Sequence, residues 1–464
     1  MKRKHADMDE KIKEDISNSI KKSNKTKNKI SLIILIVAIV IGGIIYSKYN
    51  YHDFVKSVRE KGKTSFSRDN DVKYSNAKSY KVENKEYNDA MFYKNISVKP
   101  NTPYKITCMV KTENVENEKG INTGGAQIGI KDTTECSESI VGTSDWTTLT
   151  FMFHSKNRTS VDIGFRLGGY EEESKGIAWF SDFKIEEGSL DTDKKWNVAC
   201  FIIQNIDVNV TIDYRSVNVK LKMSDADITD ITSNMKRLNS TIKELSNDQI
   251  EMDYDIIKIE TPLTSISYDE ENEYYIDQKD VKELIKKYID QKEYDYIYVA
   301  ARLGNLNENR NVLVHDWIGL GGMDYYQIGF SNIRLPDNEN SYIYKYDSNI
   351  NVFPEEVFIH EFLHTLERTE KEYGNTNLAS LHDYAVYGYQ NEGKNGLKSW
   401  YAAYMQNTIK NSDGTKAGLT ENAYISKPIH ESNFKYSYEL NALKEPQNFI
   451  EEVISLIDRI KKLF

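Results

Sequence analysis

The chain has 464 residues, enough for two or three domains with full hydrophobic cores. Its formal net charge is -10, and no basic aromatic patch offsets it, so a nucleic-acid partner is not expected. The 32 tyrosines and only 7 prolines favour strand-rich globular structure over disorder.

The three cysteines, Cys108, Cys136 and Cys200, have no metal-type spacing. An odd count makes a disulfide framework unexpected. One bond between Cys108 and Cys136 is conceivable outside the cell, but buried free thiols are the simpler expectation.

A single membrane anchor is predicted near the amino terminus. Residues 30–46 carry no charge, and residues 30–47 reach the lower limit for spanning a bilayer. The preceding segment 1–29 holds ten Lys/Arg against five Asp/Glu, which predicts a cytoplasmic amino terminus and an extracellular bulk. A cleaved signal peptide is the alternative, but no small-x-small pair follows the apolar run. Residues 48–64 are expected to form a short stalk.

Residues 65–190 predict an all-β sandwich. Short alternating runs recur between turn residues such as Pro100–Pro103 and Gly142–Asp145. The order of elements is similar to that of family 4/9 carbohydrate-binding modules and related jelly rolls. The carrying residues are Val98–Tyr104, Ser144–Thr148 and Ala178–Ile185. The resemblance implies a jelly roll that binds a cell-surface glycan.

Three aromatic residues in this region are candidates for a sugar-binding face: Trp146, Trp179 and Tyr170. The two tryptophans open predicted strands, where such rings are commonly part of a core, and core packing is the preferred interpretation. The acidic loop around Tyr170 could bind calcium, although simple solvation is expected.

Residues 191–464 predict an α/β (α+β) domain. Strand-like runs such as 201–210 alternate with helical patterns, and Ile228, Met235 and Leu245 belong to one apolar helix stripe. Trp317–Met323 is expected to be a glycine-rich loop over a cleft. Tyr326–Leu335 alternates like an edge strand that could pair with an extended peptide, or simply face solvent. A final amphipathic helix is predicted around 449–460.

The strongest motif is His360-Glu361-Phe362-Leu363-His364. Two histidines four residues apart project from one helix face and can hold Zn²⁺. Glu361 is then placed to take a proton from a water at the metal. The alternatives are a helix with half-buried polar histidines and a metal site without catalysis.

This stretch resembles the active-site helix of the zincin metallopeptidases. The resemblance implies that His360 and His364 bind zinc and that Glu361 is the general base. Metzincins place a glycine three residues after the second histidine and the third ligand three beyond it. Those positions hold Glu367 and Glu370 here, so the metzincin turn is missing.

The third ligand is therefore sought further along the chain. His382 is ranked first, then Asp383, which sits before a Tyr-Gly pair in a manner reminiscent of aspzincins, and then Glu370. Whichever of His382 and Asp383 is not the ligand could orient a ligand. Tyr387 or Tyr389 could stabilise an oxyanion. His315 and His430 lie outside the motif and are interpreted as structural.

The expected function is a membrane-anchored, extracellular zinc metallopeptidase that acts on a protein or peptide substrate. Two alternatives remain open. One is a surface adhesion or cell-wall-binding protein with a structural zinc site, and the other is a cell-wall amidase or peptidase.

Overall fold

The structure is a computed structural model, and it describes residues 54–75, 78–118, 124–170, 172–212, 214–271, 273–304, 317, 319–325, 328–335 and 353–440. These residues form a β-sandwich (54–188) and an α/β unit (189–437). The predicted membrane span 30–47, His315 and the predicted helix at 449–460 lie outside the described residues. Within the described ranges, no helix is long and apolar enough to cross a membrane.

The predicted β-sandwich is confirmed by two antiparallel sheets. Its strands are β1 Val55–Val58, β2 Thr64–Asp69, β3 Ser79–Asn88, β4 Ala90–Ser97, β5 Pro103–Asn117, β6 Ala126–Ile130, β7 Gly142–His154, β8 Ser160–Leu167 and β9 Ser174–Glu187. One sheet has the order β1-β4-β8-β6, and the other β2-β3-β9-β5-β7. From β3 onward, consecutive strands alternate between the sheets, as in a jelly roll.

Strand alternation builds the sandwich core. Along β5, Tyr104, Ile106, Cys108 and Val110 are buried while the residues between them are more exposed. All three cysteines are free thiols; Cys108 and Cys200 are buried, as predicted, whereas Cys136 is half-buried.

The predicted stalk at 48–64 is wrong for its carboxyl-terminal half. Residues 55–58 form β1, which pairs with β4, and β2 begins at Thr64. Phe54 is 7% exposed and packs against Tyr80 and Phe165 at ring distances of 5.0 and 4.9 Å. Burial of this ring holds the segment on the sheet, while the charged side chains of Lys56 and Arg59 stay exposed to solvent.

The α/β unit is built on a five-stranded sheet. Its strands and helices are β10 Lys195–Ile203, β11 Asn205–Ile212, β12 Arg215–Lys222, α1 Asp225–Ser246, β13 Glu251–Ile259, β14 Ser267–Asp269, β15 Glu273–Tyr275, α2 Gln278–Ile289, β16 Tyr296–Ala301, β17 Gly319–Tyr325, β18 Ile328–Arg334, α3 Glu356–Glu372, α4 Leu397–Met405 and α5 Glu421–Ile425. The order of the strands within the five-stranded sheet is β13-β10-β16-β18-β17. Only β17 runs antiparallel to its neighbour.

Helices cover both faces of this sheet. One core joins α1, α3 and α4 to the face that carries Trp196, Tyr296 and Tyr298. The other core places α2 and the β11–β12 hairpin on the opposite face. The predicted apolar stripe of α1 is buried as expected, and a Ser224–Asp227 capping box starts that helix.

The predictions for 317–335 are wrong in two respects. The glycine-rich segment is the edge strand β17, and β18 lies inside the sheet between β16 and β17. Glycines are common in loops, but Gly319 and Gly321 lie in a strand, where their missing side chains let β17 pass close to α3. A Cβ at Gly319 would lie 2.4 Å from Glu361 Oε1. The alternating pattern of β18 reflects the two faces of an internal strand.

The two units are joined at several points. A short strand, β19 (Tyr438–Leu440), returns to the sandwich and pairs with the end of β9. Tyr373, just after α3, donates its hydroxyl to Asn101 Oδ1 at 2.9 Å, and Asn157 Nδ2 donates to the Tyr373 carbonyl at 3.0 Å.

Candidate metal centre

Helix α3 holds the motif in place through its buried face. Val357, Phe358, Phe362, Leu363 and Leu366 are all under 4% exposed. Two tyrosines of β16 add hydrogen bonds to helix carbonyls that already accept within the helix. The side chains of Tyr296 and Tyr298 donate to the carbonyls of Glu361 and Phe358 at 3.0 and 2.8 Å. The histidines are therefore presented from a helix that is fixed to the sheet.

His382 reaches the motif from the segment after α3. A 3-10 turn at Asp383–Ala385 follows it, and Asp383 N–H donates to the Ser380 carbonyl at 2.9 Å. The buried Trp400 indole donates to the Leu381 carbonyl at 2.8 Å, which ties the segment to α4. These contacts place an exposed imidazole opposite the helix.

The three histidines converge through their Nε2 atoms. His364 Nε2 lies 3.1 Å from His360 Nε2 and 3.1 Å from His382 Nε2. One ligand atom from each of the three residues lies within 4.8 Å of the others. Two imidazole nitrogens bound to one tetrahedral zinc at about 2.0–2.1 Å would be about 3.3 Å apart. The separations fit that requirement closely.

The Nδ1 atoms show which tautomers are present. Tyr401 donates its hydroxyl to Glu356, so its oxygen accepts from His360 Nδ1–H at 2.8 Å. His364 Nδ1 lies 3.2 Å from Glu367 Oε2, a carboxylate that can only accept in its ionised form. With both protons on Nδ1, two bare Nε2 lone pairs face each other at 3.1 Å. A cation between them removes that repulsion.

The pKa shifts of His360 and His382 favour their neutral forms. Burial lowers the pKa of His360 to about 3, with further lowering by His364 and His382. Burial and His364 also lower the pKa of His382. Burial by itself would raise the pKa of Glu367, but hydrogen bonds from His364 and Lys371 and their charges lower it overall. A donor set of three imidazoles, two of which have their Nδ1 atoms held by hydrogen bonds, fits Zn²⁺.

Glu361 lies under the edge strand. It is 4% exposed, and the Gly321 amide donates to its carboxylate. Burial raises the pKa of Glu361 well above its ordinary value, and the nearby Glu356 carboxylate raises it further. A cation at the neighbouring histidines would favour the charged form.

Glu370 and Asp383, the two alternative third ligands, are not part of the histidine cluster. Both oxygens of Glu370 are engaged elsewhere: Oε1 accepts from the amides of Thr420 and Ala423 at 2.8 and 3.2 Å, and Oε2 accepts from Asn375 at 2.8 Å. The buried Glu370 side chain therefore connects α3 to the start of α5.

Tyr387, the predicted oxyanion stabiliser, is engaged away from the histidines. Its ring stacks on Trp400 at 5.5 Å, and its hydroxyl donates to Asn411 Oδ1 at 2.7 Å. Tyr389 likewise packs on Trp400. His430, which was predicted to be structural, contacts Asp295 Oδ1 through Nε2 at 3.0 Å.

The sequence analysis did not identify three residues that support the histidines through hydrogen bonds. They are Tyr401, Glu356 and Glu367. Tyr401 belongs to an aromatic helix that was interpreted as core, and α4 is indeed mostly buried. Glu367 carried a signal, since it lies three residues after His364 on the same face of the helix. Nothing in the sequence distinguishes Tyr401 from the neighbouring Tyr404.

The aromatic residues of the sandwich have different environments. Trp179 is buried, but it lies outside the core cluster that contains its neighbours Ala178 and Phe180, and it donates Nε1–H to Asp69 Oδ2 at 2.9 Å. Trp146 is half-buried and meets the exposed Tyr74 edge-on at 5.8 Å, so the core interpretation is wrong for this ring. Tyr170 is 43% exposed.

Comparisons with known proteins found structural similarities of low extent. No protein-family model matches the sequence, and no curated protein matches it. The CBM22-1 xylan-binding domain of Paenibacillus barcinonensis Xyn10C matches at 15% identity and a TM-score of 0.19. The matched region is 29% of this chain and 90% of that domain's chain. The CBM22-1-GH10 modules of Clostridium thermocellum Xyn10B match at 15% identity and a TM-score of 0.22, covering 33% of this chain and 32% of theirs.

The enzymatically active domain of bacteriophage CBA120 tailspike protein 4 matches at 12% identity and a TM-score of 0.22, covering 29% of this chain. The matched region spans about a fifth, 19%, of that tailspike chain. Similarities of this extent assign neither a ligand nor a family to the chain.

Proposed function

We propose that this protein is a zinc-dependent metallopeptidase that hydrolyses peptide bonds. The observation that carries the proposal is the convergence of three imidazole Nε2 atoms whose Nδ1 positions are held, on His360 and His364, by Tyr401 and Glu367. His360 and His364 are partly exposed, with side-chain exposures of 23% and 24%, and His382 is exposed. The cluster is therefore accessible to substrate and water.

Each residue of this cluster has a separate role in the proposed hydrolysis. His360, His364 and His382 would hold the zinc, which as a Lewis acid polarises a carbonyl and lowers the pKa of water. Glu361 accepts the proton of the attacking water and returns it to the leaving amine. Tyr401 and Glu367 keep the ligand tautomers fixed.

The substrate would bind along the sheet edge. Among the described strands, β17 lies at the edge of the five-stranded sheet, directly beside Glu361. An extended peptide can add to such an edge through backbone hydrogen bonds, without a strict sequence requirement. This arrangement favours a protein or peptide substrate.

We further propose that the protein lies at the cell surface. The apolar segment 30–47 would anchor the protein in the cell membrane, with the bulk of the chain outside. The sandwich, with its exposed Tyr74 and half-buried Trp146, would hold the peptidase near a cell-surface glycan.

The test compares the full-length chain in mild detergent with its Glu361→Gln variant. Metal analysis and digestion of casein, a peptide library and purified peptidoglycan are the measurements. We expect bound zinc in both proteins and a loss of turnover of about 10²–10⁴-fold in the variant. Glu392→Gln, an exposed change in a loop, is the control and should keep full activity.

The outcomes separate the alternatives. Full activity of Glu361→Gln, or a wild-type protein that holds no zinc, contradicts the proposal. Zinc without cleavage, together with glycan binding, indicates an adhesion protein. Cleavage restricted to peptidoglycan indicates a cell-wall amidase or peptidase.

A further inference from the structure

The sandwich contacts the end of the helix that carries His360 and His364. Helix α3 ends at Glu372, and the next residue, Tyr373, is its C-cap. The last carbonyls of a helix have no partner within the helix, so a helix end needs donors from elsewhere. Asn157, in the loop between β7 and β8, donates from Nδ2 to the Tyr373 carbonyl at 3.0 Å. The sandwich therefore supplies a cap for the metal helix.

The Tyr373 side chain adds a second connection to the sandwich. Its hydroxyl donates to Asn101 Oδ1 at 2.9 Å. The same oxygen therefore accepts from Ser426 Oγ, which lies 2.6 Å away and directly follows α5. Next to Tyr373, Glu372 pairs with Lys156 of the sandwich, and a cation at this end of a helix is favourable for the helix dipole. The end of α3 is thus joined to both the sandwich and α5.

The linker between the two units is also held. Two domains that share only a linker usually move relative to each other. Here Lys427, which is buried, donates to Asp191 and Asp193 of the linker at 2.8 and 2.7 Å. This cation ties both carboxylates of the linker to the α/β unit.

The chain after Lys427 continues along the linker to the sandwich. The Asn433 carbonyl accepts from the Ser189 amide, and Asn433 Nδ2 donates to the Ser189 carbonyl, both at 2.9 Å. A few residues later β19 pairs with β9 of the sandwich. These contacts fix the sandwich on the α/β unit, so its contacts with α3 are built into the fold.

The end of α3 also determines where the third histidine begins its return. After Tyr373 the chain turns at Gly374, whose φ of 82° is in the left-handed region, and His382 follows eight residues later. Helix ends fray when their contacts are lost, and a frayed end would let this turn move. We infer that the sandwich is a structural part of the metal centre, in which Asn101 and Asn157 position the end of α3 from which the chain returns to His382.

Hydrogen exchange measured by mass spectrometry tests this role in the full-length chain, in mild detergent and with a zinc chelator. The variant that combines Asn101→Gly and Asn157→Ala removes both asparagine side chains from the end of α3. We expect residues 369–375 to exchange about tenfold faster, the size of one to two hydrogen bonds. Helix α1 should exchange as in the wild-type protein, because its contacts are unchanged.

The double variant is expected to fold. Both asparagines are exposed, and glycine suits the φ of 51° at Asn101. Asn95→Ala is the matched control, since Asn95 is an exposed sandwich asparagine that donates to Asp162 Oδ1 at 2.7 Å. It should leave the exchange of α3 unchanged.

The rate of zinc release into excess chelator is a second measurement. Release requires His382 to leave the metal, and the opening that moves its segment should be about tenfold more frequent in the double variant. Zinc release should therefore be about tenfold faster in the double variant and unchanged in Asn95→Ala. A wild-type protein that binds no zinc would contradict the proposed function, whereas the exchange measurement would still test the role of the sandwich.

Three outcomes overturn the inference. Unchanged exchange of residues 369–375 in the double variant would show that the asparagines do not hold the helix end. Equal acceleration in α1 would show a general loss of stability instead of a local one. In the wild-type protein, a Ser189 amide that exchanges as fast as an unstructured peptide would show that the linker is not held.

Discussion

The hydroxyl of Tyr401 links a histidine and a carboxylate at the candidate metal centre. It accepts from His360 Nδ1–H and donates to the buried Glu356. Glu367 Oε2 accepts from His364 Nδ1–H in the same way. Lys371 donates to the other oxygen of that carboxylate at 3.0 Å. Partners of this kind fix the direction of a ligand lone pair before any metal binds.

Tyr401→Phe should therefore weaken zinc binding by about 10–100-fold, because His360 loses the acceptor that holds its tautomer. The measurement is a competition titration with a zinc chelator. Tyr404→Phe is the control, since this tyrosine lies one turn away on α4 and donates to the Ala379 carbonyl at 3.0 Å. Equal zinc affinity in Tyr401→Phe and wild-type protein would contradict the assigned role.

At the scale of elements, α3 organises the α/β unit from both of its ends. Near its start, Glu355 accepts from Arg237 and Thr241 of α1 at 3.0 and 2.6 Å. Near its end, the fully buried Glu370 accepts from the start of α5. Glu355 and Glu370 therefore connect α3 to α1 and to the start of α5, whereas Glu356 and Glu367 contact Tyr401 and His364.

Glu370→Ala should destabilise the fold without removing a metal ligand. It leaves the buried Ala423 amide without its acceptor, at a cost of about 1–3 kcal/mol, and it also removes the acceptor of the part-buried Thr420 amide and Asn375 side chain. Urea unfolding measures the change. Glu421→Ala, an exposed substitution in α5, should stay within about 0.5 kcal/mol of wild type.

A loss of that small size in Glu370→Ala would show that water replaces the carboxylate. Loss of zinc in a folded Glu370→Ala protein would instead return this residue to the list of ligands.

At the scale of the whole molecule, the metal centre joins parts of the chain that are distant in sequence. His382 lies beyond the end of α3, and its segment is tied to α4 by Trp400. The sandwich contacts the same helix through Tyr373 and through Lys156, which pairs with Glu372. A metal held by this cluster would consequently bind the native state alone.

Zinc should stabilise the protein by mass action. At free zinc about 1,000-fold above its dissociation constant, the free energy of unfolding should rise by about 4 kcal/mol. Thermal and urea unfolding with zinc and with a chelator measure this gain. His382→Ala should lose most of it, whereas Asp383→Ala should retain it, because Asp383 is outside the cluster. The reverse result would identify Asp383 as the third ligand.

Local patterns were sufficient for several of these features. The alternation in 65–190 predicted the sandwich, and the apolar stripe of α1 predicted its buried face. His360 and His364 share a helix face because four residues make about one turn. Each of these features depends on neighbours within one strand or one helix, so the sequence by itself determined them.

Other features depend on contacts that only the tertiary structure brings about. Phe54 completes an aromatic cluster with partners more than 25 residues away, which is why the predicted stalk is partly a strand. Gly319 and Gly321 were predicted to be loop residues, but their missing side chains let β17 lie against Glu361. Tyr401 reaches His360 across 41 residues of sequence. Periodicity carries no information about such pairs, because it describes one element's faces and not the element packed against them.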